Sequence, residues 1–112
     1  MEITEEKRGE VTIIALRGRL DAVTSPGVEK QLLALIARGD VRVALNLSGL
    51  DYISSLGLRV LLTVAKQVQT GSGRLALAAL NDTVRDIFRL AGFTELFSVY
   101  QTPDQAVAYC AG

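Results

Sequence analysis

Histidine is missing from this chain altogether. With it go the commonest general base and the usual zinc ligand sets. The single cysteine, Cys110, has no partner for an internal disulfide and cannot build a thiolate cluster, which suits a reducing compartment. Neither sign of charge is in excess, with 12 Lys and Arg against 12 Asp and Glu. No basic surplus therefore points to nucleic acid or an anionic membrane as partner. No segment approaches the roughly 20 apolar residues that span a bilayer. The first residues, Met1 to Arg8, lack the apolar core of a signal peptide. These absences predict a cytoplasmic chain with no cofactor, no metal and no membrane or nucleic-acid partner, and they rank an enzyme last among its functions.

What is present is a globular composition. Over 112 residues, 49% are hydrophobic and 21% charged, enough for one compact domain, 1–112, with its own core. The β-branched run Val11 to Leu16 reads as a strand, paired through a hairpin around Gly9 with one beginning near Ile3 and Thr4. Ser25-Pro26 resembles an N-cap followed by proline at the first helical position. Val28, Leu32, Leu35 and Ile36 mark that helix's apolar stripe, and Gly39 its stop. Alternation over Val41 to Leu47 predicts a third strand.

A second helix carries Leu58, Leu61, Leu62, Ala65 and Val68 on one face and runs to about Gln69. Leu75 to Ala78 reads as a buried strand. Asn81 or Asp82 caps a helix with Val84, Ile87, Phe88 and Ala91 inside and Gly92 at its end. Leu96 to Tyr100 reads as the last strand. Thr102-Pro103-Asp104-Gln105 is a capping-box pattern opening a short helix through Ala106, Val107 and Tyr109. Two strands followed by strands alternating with helices predict an α/β domain with a mixed central sheet.

The chemistry concentrates between Leu47 and Leu58, where Ser54, Ser55 and Gly57 lie in a loop between strand and helix. Capping the helix is a sufficient role for either serine. The functional alternative is a modifiable hydroxyl at a helix N-terminus, where a phosphate of about −1.5 to −2 charges meets free N–H groups. Asp21 and Thr24 form a polar patch at a strand-to-helix turn, or an ordinary turn before a cap. Asn46 sits on the minority-polar face of its strand, where its side chain can fix the next loop. Gly71-Ser72-Gly73 has no lysine after it and is a turn rather than a P-loop. Cys110 has no basic neighbour in sequence. Phe88, Phe93 and Phe97 read as core, with Phe93 displaced outward by the Gly92 stop.

Gly18-Arg19-Leu20-Asp21, Leu45-Asn46-Leu47 and Leu50-Asp51-Tyr52-Ile53-Ser54-Ser55-Leu56-Gly57-Leu58-Arg59 together resemble the STAS domain of bacterial anti-sigma-factor antagonists, over essentially the whole chain. The resemblance implies a mixed four- to five-stranded sheet flanked by about four helices. It also implies partner switching. The unphosphorylated antagonist binds an anti-sigma factor that is also a serine kinase, phosphorylation of a junction serine breaks the complex, and a metal-dependent serine phosphatase restores it.

That serine stands two residues before the glycine in the family and maps onto Ser55, with Ser54 as second choice. Asp21, Thr24, Asn46, Ser54, Ser55, Leu56, Gly57 and Arg59 fall at the partner-binding positions. One position departs: the aspartate usual before the modified serine is Ser54 here, which removes one repulsion a phosphate would face. The next position, often small in the family, is Leu56. The resemblance further implies a monomer or weak dimer. Its other branch is a STAS scaffold or accessory subunit of a signalling or lipid-transport assembly, with no switch.

Overall fold

A computed structural model describes residues 1–112. In chain order the elements are β1 (Glu2–Arg8), β2 (Val11–Leu20), α1 (Ser25–Ala37), β3 (Arg42–Ile53), α2 (Ser55–Thr70) and β4 (Arg74–Ala78), then α3 (Asp82–Leu90), a single 3-10 turn (Thr94–Leu96), β5 (Ser98–Tyr100) and α4 (Pro103–Ala111). The five strands lie in the order β1-β2-β3-β4-β5. β1 runs antiparallel to β2, through a tight turn in which Gly9 takes φ +62°. The other neighbours pair in parallel.

Each parallel crossover goes to the adjacent strand, and crossovers of this kind share one hand. The connecting helices therefore collect on one face. Side chains of α1, α2 and α3 pack there against Ile14, Leu16, Val43, Leu45, Leu47 and Leu77. The alternate strand residues Val11, Ile13, Ala44, Ala76 and Ala78 point the other way, against Ala106 and Cys110 of α4. The α4 C-terminus is held by two cations of the sheet. Arg42 Nη1 donates to the Cys110 carbonyl (2.5 Å) and Arg74 Nη1 to the Tyr109 carbonyl (2.8 Å), where a helix dipole favours positive charge. Cys110 thus has basic neighbours that its sequence position hides.

The strand expected to stop at Leu47 continues to Ile53. Ser48-Gly49 is a turn signal by composition, but the sheet absorbs it. Ala15 pairs with Asn46 and Arg17 with Gly49, so β3 carries an extra residue, and a second shift follows between Gly18 and Arg19. Bulges of this kind bend and twist a strand without ending it. Asn46 is therefore in the strand interior rather than at its end, and its Oδ1 accepts from Ser48 N–H (3.1 Å) to stabilise the first bulge.

Three further expectations are corrected. The N-cap position of α1 is Thr24, and Ser25 is the first helical residue, buried. Ala91 is the exposed C-cap of α3 rather than part of its inner face. The last strand starts at Ser98, because Thr94–Leu96 forms the 3-10 turn. Phe93 is half-buried, its ring edge-on to Phe88 at 6.5 Å, so the aromatic trio is part of the core. The capping box at Thr102 and Gln105 and the Asn81 cap form as expected.

Candidate functional site

β2, β3 and β4 are parallel, so their C-terminal ends open on one edge of the sheet. The edge is built from three turns: Asp21 to Thr24 after β2, Ser54 after β3, and Leu80-Asn81 after β4. They are tied together. Ser54 N–H donates to the Leu20 carbonyl (2.9 Å) at the end of β2, and Asn81 Nδ2 donates to the Leu50 carbonyl (2.8 Å) of β3. Asn81 also accepts from Val84 N–H (2.8 Å), so one side chain caps α3 and anchors it to β3.

No loop separates β3 from α2, because Ile53 ends the strand and Ser55 starts the helix. Ser54, between them, has extended backbone, and its Oγ accepts from Gly57 N–H (3.3 Å). Its carbonyl accepts from Leu58 N–H (2.9 Å). The cap is thereby Ser54. Ser55, one residue on, is exposed and takes no part in it. A Cβ on Gly57 would lie 2.8 Å from Ile53 Cγ1, 2.8 Å from the Leu20 carbonyl oxygen and 2.9 Å from Leu20 Cγ. Glycine here lets the first turn of α2 rest directly on the ends of β2 and β3.

The turn after β2 closes on itself. Asp21 Oδ1 accepts from Val23 N–H (3.0 Å) and Thr24 N–H (3.2 Å). Thr24 Oγ1 accepts from Asp21 N–H (3.0 Å) and donates to the Arg19 carbonyl (2.7 Å). The Thr24 amide first, then the Val23 amide, the Thr24 hydroxyl and the nearby Arg19, hold the Asp21 carboxyl below the usual carboxylate range. Arg19 in turn lies over the Tyr52 ring, 4.5 Å from its centroid. Asp21 and Thr24 thus shape the surface beside the serines.

Between the N-terminal turns of α1 and α2 runs a groove of about 300 Å³, lined by Ser25, Pro26, Glu29, Leu56, Arg59 and Val60. Ser25 is 3% exposed, and its Oγ is buried without a hydrogen-bond partner. An orphaned hydroxyl of this kind costs about 1–3 kcal/mol. Val23 and Leu56, 87% and 41% exposed, add apolar surface in the adjoining turns. Neither α1 nor α2 has an acidic residue in its first turn, whereas α3 has Asp82 and α4 has Asp104.

The structure thus brings Asp21, Thr24, Ser54, Ser55, Leu56, Gly57 and Arg59 to one edge. Asn46 is apart from them, seven residues down β3 and so roughly 20 Å away along an extended chain. Ser25, Val23 and Asn81 are members of this edge that the sequence reading used only as helix signals or not at all. No three His, Cys, Asp or Glu side chains converge as a metal site, and no helix is long and apolar enough to cross a membrane.

A family model described as STAS domain matches residues 2–106. BtrV of Bordetella bronchiseptica, a curated protein assigned as an anti-sigma factor antagonist, is 39% identical over 108 residues, covering 96% of this chain and 93% of that protein. A crystal structure from Thermotoga maritima with the same assignment superposes with a TM-score of 0.92 at 20% identity, covering 98% of this chain and 95% of that one. SpoIIAA, an anti-sigma factor antagonist in its unphosphorylated form, superposes with a TM-score of 0.84 at 23% identity, covering 99% and 97%.

Proposed function

The chain belongs to the STAS domain family of anti-sigma factor antagonists, and from that premise we propose that it works by partner switching with Ser55 as the switch. The unmodified chain docks an anti-sigma factor through the sheet edge formed by Asp21, Thr24, Leu56 and Arg59, and so releases the sigma factor. That anti-sigma factor is also a serine kinase. It transfers the γ-phosphoryl of ATP to the Ser55 oxygen, ADP leaves and the hydroxyl proton is given up. The complex then dissociates. A metal-dependent serine phosphatase hydrolyses the phosphoester and resets the cycle. Residues 1–112 act as a single domain throughout.

The observation that carries this reading is the division of labour at the junction. Ser54 is used by the cap, while Ser55 is exposed at the positive end of a 16-residue helix, with its hydroxyl outside the cap. Phosphorylation there adds charge without removing a hydrogen bond of the fold. The exposed Val23 and Leu56 flank it as a docking surface, and a double charge among them opposes apolar contact. A thousandfold loss of partner affinity needs about 4 kcal/mol, within reach of such a change.

Incubation with purified anti-sigma kinase and ATP, followed by mass spectrometry, should place one phosphate on Ser55. Ser55→Asp should bind that kinase far more weakly than Ser55→Ala. Equal binding by the two variants would sink the switch and favour a constitutive docking role.

A further inference from the structure

Resting on Ser55 as the phosphoacceptor, we propose that the groove between α1 and α2 is a socket in this same chain for the Ser55 phosphoryl group, walled by Arg59 and floored by the Ser25 hydroxyl. Arg59 stands one helical turn beyond Ser55 on α2. Side chains four apart share a helix face with Cβ atoms about 5–6 Å apart, and a helical side chain leans back toward the N-terminus. The Arg59 guanidinium thus has the reach to meet an oxyanion carried on Ser55. It lines the groove and belongs to none of the ion pairs of the molecule.

The floor gives the second, independent indication. The Ser25 hydroxyl is sealed from solvent and bonds to nothing, although buried polar groups are nearly always satisfied. Ser25 lines the groove, and rotation of its side chain toward that space makes the hydroxyl a donor to a phosphate oxygen. The polarity of the helices agrees, since no first-turn carboxylate of α1 or α2 competes with an anion. The groove, at about 300 Å³, has room for a phosphoryl group and its waters.

The charged groups facing the socket are Arg59 from α2 and Glu29 from α1. Asp21, in the turn before α1, is already engaged by its own turn. Glu29 repels the phosphoryl group and confines it to the Arg59 side. In this arrangement phosphorylation does two things to a docked partner. It places negative charge on the docking surface, and it withdraws Arg59 and closes the groove.

The test uses the full chain with phosphoserine installed co-translationally at position 55, followed by phosphorus NMR titration. The second ionisation should fall below the midpoint of about 6 of free phosphoserine, because a fixed cation favours the dianion. Arg59→Gln should raise it most of the way back to that value, the remainder being held by the Ser25 hydroxyl and the α2 N-terminus. Ser25→Ala should raise it by a smaller part, and Glu29→Gln should lower it further. A purified metal-dependent serine phosphatase should strip the Arg59→Gln protein at least about threefold faster, since a charge-assisted clamp on the phosphate is gone.

A midpoint of about 6 in the unaltered phosphoprotein overturns the socket, as does one that Arg59→Gln leaves in place. No response to Ser25→Ala removes the hydroxyl as its floor. If Arg59→Gln weakens kinase binding by the unphosphorylated chain yet leaves the titration unmoved, the groove belongs to the partner and the socket is overturned. Because the phosphoserine is installed without a kinase, failure of the kinase to modify Ser55 would count against the proposed switch alone.

Discussion

Ser54 and Ser55 carry the same hydroxyl one residue apart, yet one is spent on the backbone and the other is not. Ser54→Ala removes the acceptor for Gly57 N–H and should cost about 1 kcal/mol of stability. Ser55→Ala, at an exposed position outside the cap, should stay within about 0.5 kcal/mol of the parent. Urea denaturation of the two variants measures the contrast, and equal losses would contradict the assignment of the cap. Ser25 gives the opposite sign. Its buried hydroxyl has no partner, so Ser25→Ala should stabilise the unphosphorylated chain by about 1 kcal/mol, with a raised Tm. The choice of Ser54 came from the structure, but a cap at Ser54 or Ser55 was readable from a serine pair placed before an apolar helical stripe. The state of Ser25 was not, because the Ser25-Pro26 pair signals a helix start but not which residue begins it. The Asp21–Thr24 turn sets that start one residue earlier and turns Ser25 inward.

At the scale of elements, the first turn of α2 and the ends of β2 and β3 behave as one unit. Gly57→Ala would set a methyl against the Leu20 carbonyl and the Ile53 side chain. Overpacking of this kind should cost about 1–3 kcal/mol, and relief of the clash must move α2 and with it Ser55. The expected signature is a lower Tm together with amide shift changes at Leu20, Ser54 and Ser55, whereas changes confined to position 57 would show the contact to be soft. Asn81→Ala removes both the α3 cap and the bond to the Leu50 carbonyl. It should cost about 2 kcal/mol, more than a cap alone, by thermal or urea denaturation. The helices were legible because their apolar stripes and caps are local. The true length of β3 was not, because Ser48-Gly49 becomes part of a strand only when β2 pairs across it.

At the scale of the whole molecule, charge ties the edge strand to the core. Lys7 of β1 bonds Asp40 (2.9 Å), and Arg38 joins Asp40 to Glu5. Lys7 first, then Arg38, hold the Asp40 carboxyl below its ordinary value of 3.8. The folded value is the lower one, so the stabilisation is present above the unfolded value and is lost as pH falls through the folded value. Stability measured from pH 7 down to pH 3 should therefore decline most steeply below about 4, and Asp40→Asn should flatten that decline. An unchanged slope would assign acid sensitivity elsewhere. The thiol of Cys110 works at the other extreme. Burial pushes it above its ordinary value of 9.0, so the unfolded chain loses its proton first, and stability should fall as pH rises past that value.

Periodicity, caps and glycine punctuation, all of them interactions within a few residues of chain, determined the order of strands and helices, the mixed α/β class and the position of the Ser54-Ser55 junction. Tertiary structure alone decided which serine is free, that Asn46 lies far from the junction, and that α1 and α2 enclose a groove lined in part by Ser25, whose buried hydroxyl is unpaired. Those facts depend on pairing and packing between segments distant in sequence. A hydrogen bond from Ser54 to Leu20, or a contact between Gly57 and Leu20, exists only once parallel strands have brought the two turns side by side.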